Sequence, residues 1–176
     1  MLFAQRLYEL GLITYMRTDS TNIAESALAA TKNYLASAFG EPYAADAPRT
    51  FKTTSRAAQE AHEAIRPTDV SVTPQNVALT QVSEQKVYML IWQRFVASQM
   101  PQAIFDGTQI QISAGKYTLL TTGNLLRFDG FLKVWSQQFE ERTIPEVSAN
   151  DTLRQEHIDP LQHFTEPPAK YSEASL

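Results

Sequence analysis

The hydrophobic period of the chain changes at Pro101, and that change limits the architectures open to it. Before it, Val87, Leu90, Ile91, Phe95 and Val96 recur at helical spacing as a wide apolar stripe, which predicts a helix from near Thr80 to Met100. Proline has no N–H to continue a helix and disfavours helix at the residue before it, so the helix must stop there. After it, Ile110 and Ile112 alternate with Gln109 and Gln111, and Tyr117, Leu119 and Thr121 follow across Ala114-Gly115, which predicts an antiparallel meander. Gly123-Asn124 and Asp129-Gly130 add turn chemistry, and Thr152 to Ile158 reads as another strand beyond an irregular segment with Pro145. A chain helical on one side of residue 101 and β on the other belongs to the α+β class.

Upstream, Phe3, Leu7 and Leu10 share one helical face, and Gly11 suits the left-handed position that ends a helix. Leu12-Ile13-Thr14-Tyr15 reads as a short buried strand that brings Tyr15 to its end. Asn22 with Glu25 forms a capping-box pattern for a second helix carrying Ile23, Ala27, Ala30 and Tyr34, with Gly40 as its stop. Residues 41–55, with Pro42, Pro48 and Lys52-Thr53-Thr54-Ser55, read as a mobile surface loop. Arg56 to Ile65 predicts a short helix or turn ending before Pro67. At the far end, Ser172 follows Pro167-Pro168 and could cap a helix over Glu173 to Leu176, of which only one turn is present. The simplest account is a longer protein cut at both ends.

At 176 residues and 43% hydrophobic, the chain can bury a core. With no cysteine it holds no disulfide, thiolate metal site or cysteine nucleophile, which suits a reducing cytoplasm. No apolar run approaches the roughly 20 residues of a membrane span, and no basic start leads into a hydrophobic stretch, so no membrane partner is expected. A formal net charge of -4 argues against a polycation that coats nucleic acid, so any DNA contact must be local.

The densest chemistry lies in Thr14-Tyr15-Met16-Arg17-Thr18-Asp19-Ser20-Thr21, a phenol, a guanidinium, a carboxylate and several hydroxyls between a strand and a helix start. Free N–H groups at a helix head favour an anion such as phosphate. Arg17 can hold two phosphate oxygens at once, and its fixed charge favours ionisation of a nearby phenol, a combination suited to a tyrosine nucleophile. The same residues have a plainer reading: Tyr15 as packing, Arg17 and Asp19 as a surface ion pair, Asp19 to Asn22 as capping. In Gln59-Glu60-Ala61-His62-Glu63-Ala64-Ile65-Arg66-Pro67, a helix would put His62 and Arg66 on one face, both able to address a phosphate, with Glu63 pointing elsewhere. A solvated polar turn is the alternative. One histidine with Glu60 and Glu63 makes no convincing metal ligand set. Tyr117, Phe128, Phe131 and Trp135 either pack a core or stack on exposed bases. No glycine-rich phosphate loop and no nucleophile elbow is present.

Gly11-Leu12-Ile13-Thr14-Tyr15-Met16-Arg17-Thr18-Asp19-Ser20-Thr21-Asn22 resembles the active-site tyrosine motif of type IA DNA topoisomerases, and Met16 between Tyr15 and Arg17 is similar to the bacterial topoisomerase I branch. Gln59 to Pro67, Leu90-Ile91-Trp92-Gln93-Arg94-Phe95 with Ala97-Ser98-Gln99-Met100, and Leu126-Arg127-Phe128-Asp129-Gly130 extend the resemblance in order along the chain. It implies an α+β multidomain fragment: residues 1–101 from a helical, tyrosine-bearing domain, 102–171 from the β-rich arch of a torus, and 172–176 the start of a further helical domain.

The resemblance further implies relaxation of negatively supercoiled DNA by transient single-strand cleavage, strand passage and resealing. Tyr15 would form a 5'-phosphotyrosine link, Arg17 would stabilise the phosphate, His62 would contact the DNA backbone, Asp19 would join the site network, and Arg66 would add a DNA contact. Magnesium would be held by a Toprim domain of the parent enzyme, with none expected in this fragment. The fragment alone is expected to be inactive without the parent's remaining domains, its partners besides single-stranded and supercoiled DNA. The setting implied is the cytoplasm, at the nucleoid. Two other readings remain: a noncatalytic single-stranded DNA-binding or gate module, and a purely structural module.

Overall fold

Three helices and one antiparallel strand pair form the regular structure of the described residues: α1 (Leu2–Glu9), α2 (Glu25–Phe39), α3 (Val82–Gln99), β1 (Ile104–Ala114) and β2 (Tyr117–Phe128). The structure is a computed structural model that describes residues 1–51, 62–136 and 141–172. Met1–Ile144 forms one compact unit and Pro145–Leu176 a second. The change of period at Pro101 is therefore a change of secondary structure within one compact unit.

Helix α3 ends at Gln99, as the proline requires, and organises the core. Its inward face is Tyr88, Trp92, Phe95 and Val96, whereas Leu90, expected in the apolar stripe, is 55% exposed. The two large aromatics decide the rotation of the helix, because each packs its ring and also satisfies a backbone carbonyl of the irregular segment before α3. Tyr88 Oη donates to Val72 O at 2.7 Å and Trp92 Nε1 to Val70 O at 2.9 Å. Burial, with the Asp69 charge second, pushes the Tyr88 phenol up to about 12. Leu7 of α1, Leu35 of α2 and Met100 complete the same cluster.

Helix α1 closes as expected: Gly11 has φ 73°, and Leu12 N–H reaches back to Leu7 O at 2.9 Å. Across to α3, Arg6 Nε lies 3.0 Å from Glu84 Oε1, whose side chain is 3% exposed. That oxygen has no aligned hydrogen bond, so the buried carboxylate is compensated by charge, from Arg6 and from the α3 N-terminus.

Several expectations are corrected. Leu12 to Tyr15 is not a strand; Ile13 makes a single bridge to Pro67. α2 begins at Glu25 with Ala24 as N-cap and no side-chain cap, so the Asn22 capping box does not form. Within residues 41–51, Glu41–Tyr43 is a 3₁₀ turn rather than irregular loop, and Arg49 and Gln99 exchange backbone–side-chain hydrogen bonds of 3.2 and 3.1 Å. Of the short helix or turn expected over 56–65, residues 62–65 are non-helical, with a bend at Ile65, and the rest lies outside the described residues, as do Lys52 to Ser55.

The β part is a hairpin, not a meander. Ile110 pairs with Thr121, Ile112 with Leu119 and Ala114 with Tyr117 around the turn at Gly115, so the period-two reading of these residues holds. Gly123-Asn124 is not a turn but lies inside β2, where Gly123 is buried and Asn124 bridges Arg142. A Cβ on Gly123 would sit 2.6 Å from Arg142 O, so the glycine answers a close backbone approach. Thr152 to Ile158 is not a strand; the described residues of the second unit, 145–172, hold no helix or strand and are exposed. Residues 173–176, the expected helix start, lie outside the described residues.

Gly130 begins the 3₁₀ turn Gly130–Lys133 that returns the hairpin to the helical part. Its φ is 48°, and a Cβ there would lie 2.6 Å from both Pro101 O and Gln102 O. Gly130→Ala is expected to destabilise the chain by about 1–3 kcal/mol through overpacking against backbone and a left-handed conformation. Urea unfolding of the variant beside the unsubstituted chain measures it.

Candidate functional site

Two segments fifty residues apart in sequence are joined side by side. Thr14 N–H donates to Arg66 O at 2.9 Å and Thr68 N–H to Leu12 O at 3.0 Å. The Thr14 hydroxyl donates to Ala64 O at 2.7 Å and accepts from Arg66 N–H at 2.9 Å, a sequence separation of 50 and 52 residues. The Thr68 hydroxyl adds a bond of 2.6 Å to Gly11 O. Ile13 and Met16 turn inward into the core on either side of this seam. Tyr15 is left on the outer side, 42% exposed.

The Tyr15 ring stands edge-to-face between two others. Tyr8, in the last turn of α1, lies 5.3 Å away between centroids at 72°, and His62 lies 6.3 Å away at 73°. Edge-to-face contact is a preferred aromatic arrangement, so the two neighbours restrict a ring whose residue remains partly exposed. The structure thus brings Tyr15 and His62 together. Arg17 and Asp19 are both exposed and do not pair with each other, which removes the surface ion pair reading. Between them and α2, Ser20 is buried, its N–H bonded to Thr18 Oγ1 at 3.0 Å and its Oγ accepting from Asn22 N–H at 3.2 Å.

Arg66 and Glu63 depart from expectation. Residues 62–66 are not helical, so His62 and Arg66 do not share a helix face, and Glu63 does not point elsewhere. Its Oε1 takes the Ala24 N–H at 2.8 Å and the Arg66 Nε–H at 2.7 Å, while Oε2 takes Arg66 Nη2 at 3.0 Å. A third Arg66 nitrogen donates to Pro67 O at 2.9 Å. Arg66 is thus a half-buried clasp. The N–H at the head of α2, expected to await a phosphate, already meets a carboxylate of the same chain. Burial alone would raise the Glu63 pKa, but the Arg66 hydrogen bond, the Ala24 N–H and the Arg66 charge outweigh it and hold it below its ordinary 4.5.

Tyr8, Thr14 and Glu63 shape this site without having been singled out as site residues. Thr14 sits inside the dense motif and could have been suspected; nothing local marks Tyr8 or Glu63, whose roles depend on contacts across the chain. The site offers a restrained, partly exposed phenol, an imidazole beside it and, two positions on, an exposed arginine with no ion pair among the described residues. That set suits attack on a phosphodiester. Among the described residues, no group of three or more His, Asp or Glu is placed to hold a metal ion.

A family model described as DNA topoisomerase matches residues 1–176. The chain is 46% identical over 179 residues to DNA topoisomerase 1 of Salmonella typhimurium and 45% over 179 residues to that of Escherichia coli, covering 100% of this chain and 21% of each relative. It is 38% identical over 185 residues to DNA topoisomerase 1 of Helicobacter pylori, covering 25% of it. The structure of full-length topoisomerase I from Thermotoga maritima superposes with a TM-score of 0.70 at 35% identity over 84% of this chain and 25% of that one. The chain therefore spans about a fifth to a quarter of these proteins' length.

Because Glu63 titrates at lower pH when folded, its contribution is complete above 4.5 and is lost as pH falls through the depressed folded value. Glu63→Gln is expected to cost about 1–3 kcal/mol at neutral pH, leaving Arg66 without its charge partner, and to flatten the acid limb of the stability curve. Urea unfolding at pH steps from 7 down to about 3 checks both.

Proposed function

The chain belongs to the DNA topoisomerase family, and on that premise we propose that it carries the nucleophile-bearing part of a type IA enzyme. In this reading Tyr15 Oη attacks the phosphorus of a phosphodiester in single-stranded DNA. A P–Oη bond forms as the P–O3' bond breaks, so the 5' phosphate stays on the tyrosine and the 3' oxygen leaves. The phenolic proton is lost and the leaving oxygen gains one, which conserves charge over the step. Another strand passes through the gap, and the freed 3'-hydroxyl reverses the attack. The phosphodiester energy is kept in the phosphotyrosine link, so relaxation of negatively supercoiled DNA needs no external energy source.

The observation that carries the reading is Tyr15 held edge-on by Tyr8 and His62 while remaining accessible. Arg17 stabilises the charge on the attacked phosphate, an effect worth roughly 3–4 kcal/mol for one preorganised donor. His62 contacts the DNA backbone beside the break, and Asp19 joins the site network around the bound strand. Arg66 acts through Glu63, as a positioning residue. Magnesium in the parent enzyme would be held by its Toprim domain, outside this chain. The same reading takes 1–101 as the tyrosine domain and 102–171 as part of the arch, and it leaves the isolated segment inactive.

In the full-length protein, Tyr15→Phe is expected to abolish both relaxation of supercoiled plasmid and the covalent protein–DNA adduct trapped by denaturant. Tyr8→Ala, which frees one side of the ring, is expected to slow adduct formation about tenfold, with Tyr8→Phe close to the unsubstituted rate. Relaxation at an unaltered rate in the Tyr15→Phe protein overturns the nucleophile assignment. DNA binding without any adduct in the unsubstituted protein supports the noncatalytic gate module instead.

A further inference from the structure

We propose that a groove beside the tyrosine segment is a base-binding subsite for single-stranded DNA, a reading that rests on the strand-cleaving function above and extends its substrate contacts. The groove encloses about 840 Å³ and runs from Ser20 past Phe51 and the C-terminal half of α3 to Phe131 and Trp135. That volume lies in the range of ligand sites. Its lining is chiefly apolar, with several aromatic rings and two arginines.

The two arginines differ in what they have left to offer. Arg49 is committed, its Nη1 donating to Met100 O at 3.2 Å while its backbone bonds Gln99. Arg94 is exposed, forms no ion pair among the described residues, and holds its guanidinium carbon 5.4 Å from the centre of the Trp135 ring. Stacking on an aromatic face fixes the plane of a guanidinium and leaves its N–H groups pointing outward. The groove therefore pairs flat aromatic surface with one oriented cation at its edge. Unpaired bases stack on aromatic side chains whatever their identity, and arginine meets the phosphate that each base carries. Bases in a duplex are already stacked on each other, so this chemistry selects a single strand. A net charge of -4 makes the local placement of Arg94 matter, since the chain as a whole repels phosphate.

Position favours the same occupant. Ser20 lies five residues from Tyr15, a contour of at most about 18 Å, so a strand cleaved at Tyr15 reaches the groove within a few nucleotides. A free nucleotide is a poorer fit, because the chain has no glycine-rich loop for its phosphates.

The test uses the full-length protein in the non-cleaving Tyr15→Phe background, with fluorescently labelled single-stranded oligonucleotides in which one base at a time is replaced by an abasic site. One abasic position is expected to weaken binding about tenfold, and Trp135→Leu is expected to give the same loss with the intact oligonucleotide and no further loss with the abasic one. Arg94→Gln, at an exposed position that folding tolerates, is expected to reduce the slope of log K against log salt by about 0.7, while Trp135→Leu leaves the slope unchanged. A uniform abasic profile, or an Arg94→Gln protein with unaltered affinity and slope, overturns the subsite. Either result leaves the nucleophile assignment standing if Tyr15 still forms its adduct in the cleaving protein. Loss of that adduct with the abasic profile intact sinks the cleavage reading and keeps the groove as a single-strand site.

Discussion

The hydroxyl of Thr14 joins segments that the sequence keeps fifty residues apart, and the candidate site exists only because that junction forms. It donates to one carbonyl and accepts from one N–H of the opposite segment, so both partners are satisfied by a single side chain. Each such bond adds only about 0.5–1.5 kcal/mol net, yet leaving its partners unpaired in a half-buried seam costs more than making them gains. The seam is therefore selective more than strong: a side chain of the same size without a hydroxyl cannot replace it. Ile13 and Met16 supply the apolar anchorage on the other side, and Tyr15 faces outward because its neighbours face in.

Charge is divided along the same seam. The head of α2 would favour an anion, and Glu63 supplies one from within the chain. Arg66 closes around the same carboxylate, so one anion and one cation are used up in fixing the backbone that carries His62. Arg17 is outside this arrangement and is exposed, with no ion pair among the described residues. In a chain whose overall charge is negative, the exposed Arg17 places one positive charge two residues from Tyr15.

Features set by local period or local chemistry were legible from residues alone. The end of α3 at Pro101, the left-handed Gly11 after α1, the stop at Gly40 and the pairing face of Ile110 and Ile112 all follow from neighbours in sequence. What failed depends on distant contacts. The rotation of α3 is set by Tyr88 and Trp92 reaching carbonyls of the segment before it, so Leu90 is exposed despite its place in the apolar stripe. Gly123 resembles a turn glycine because the Arg142 carbonyl that demands it is invisible from residues 123 and 124. Asn22 looks like a cap because the rival acceptor, Glu63, lies far along the chain. The dense tyrosine motif drew attention to Tyr15 and Arg17, but only the seam explains why His62 stands beside Tyr15.

The hairpin raises a last point about rigidity. A two-stranded ribbon is marginal by itself, and Tyr117, Leu119 and Leu120 near its turn are more than half exposed. Its base is held differently: Gly130 lies against the backbone at Pro101 and Gln102, Phe131 N–H bonds Pro101 O at 3.0 Å, and Tyr43 Oη donates to Asp129 at 2.6 Å. The residues after β2 thus belong mechanically to the helical part, whereas the turn end relies on its own ladder. Phe131 and Trp135 sit on the fixed side. A stacking surface has to hold its plane against the thermal motion of the strand it receives, and within this unit the base of the hairpin meets that requirement better than its tip.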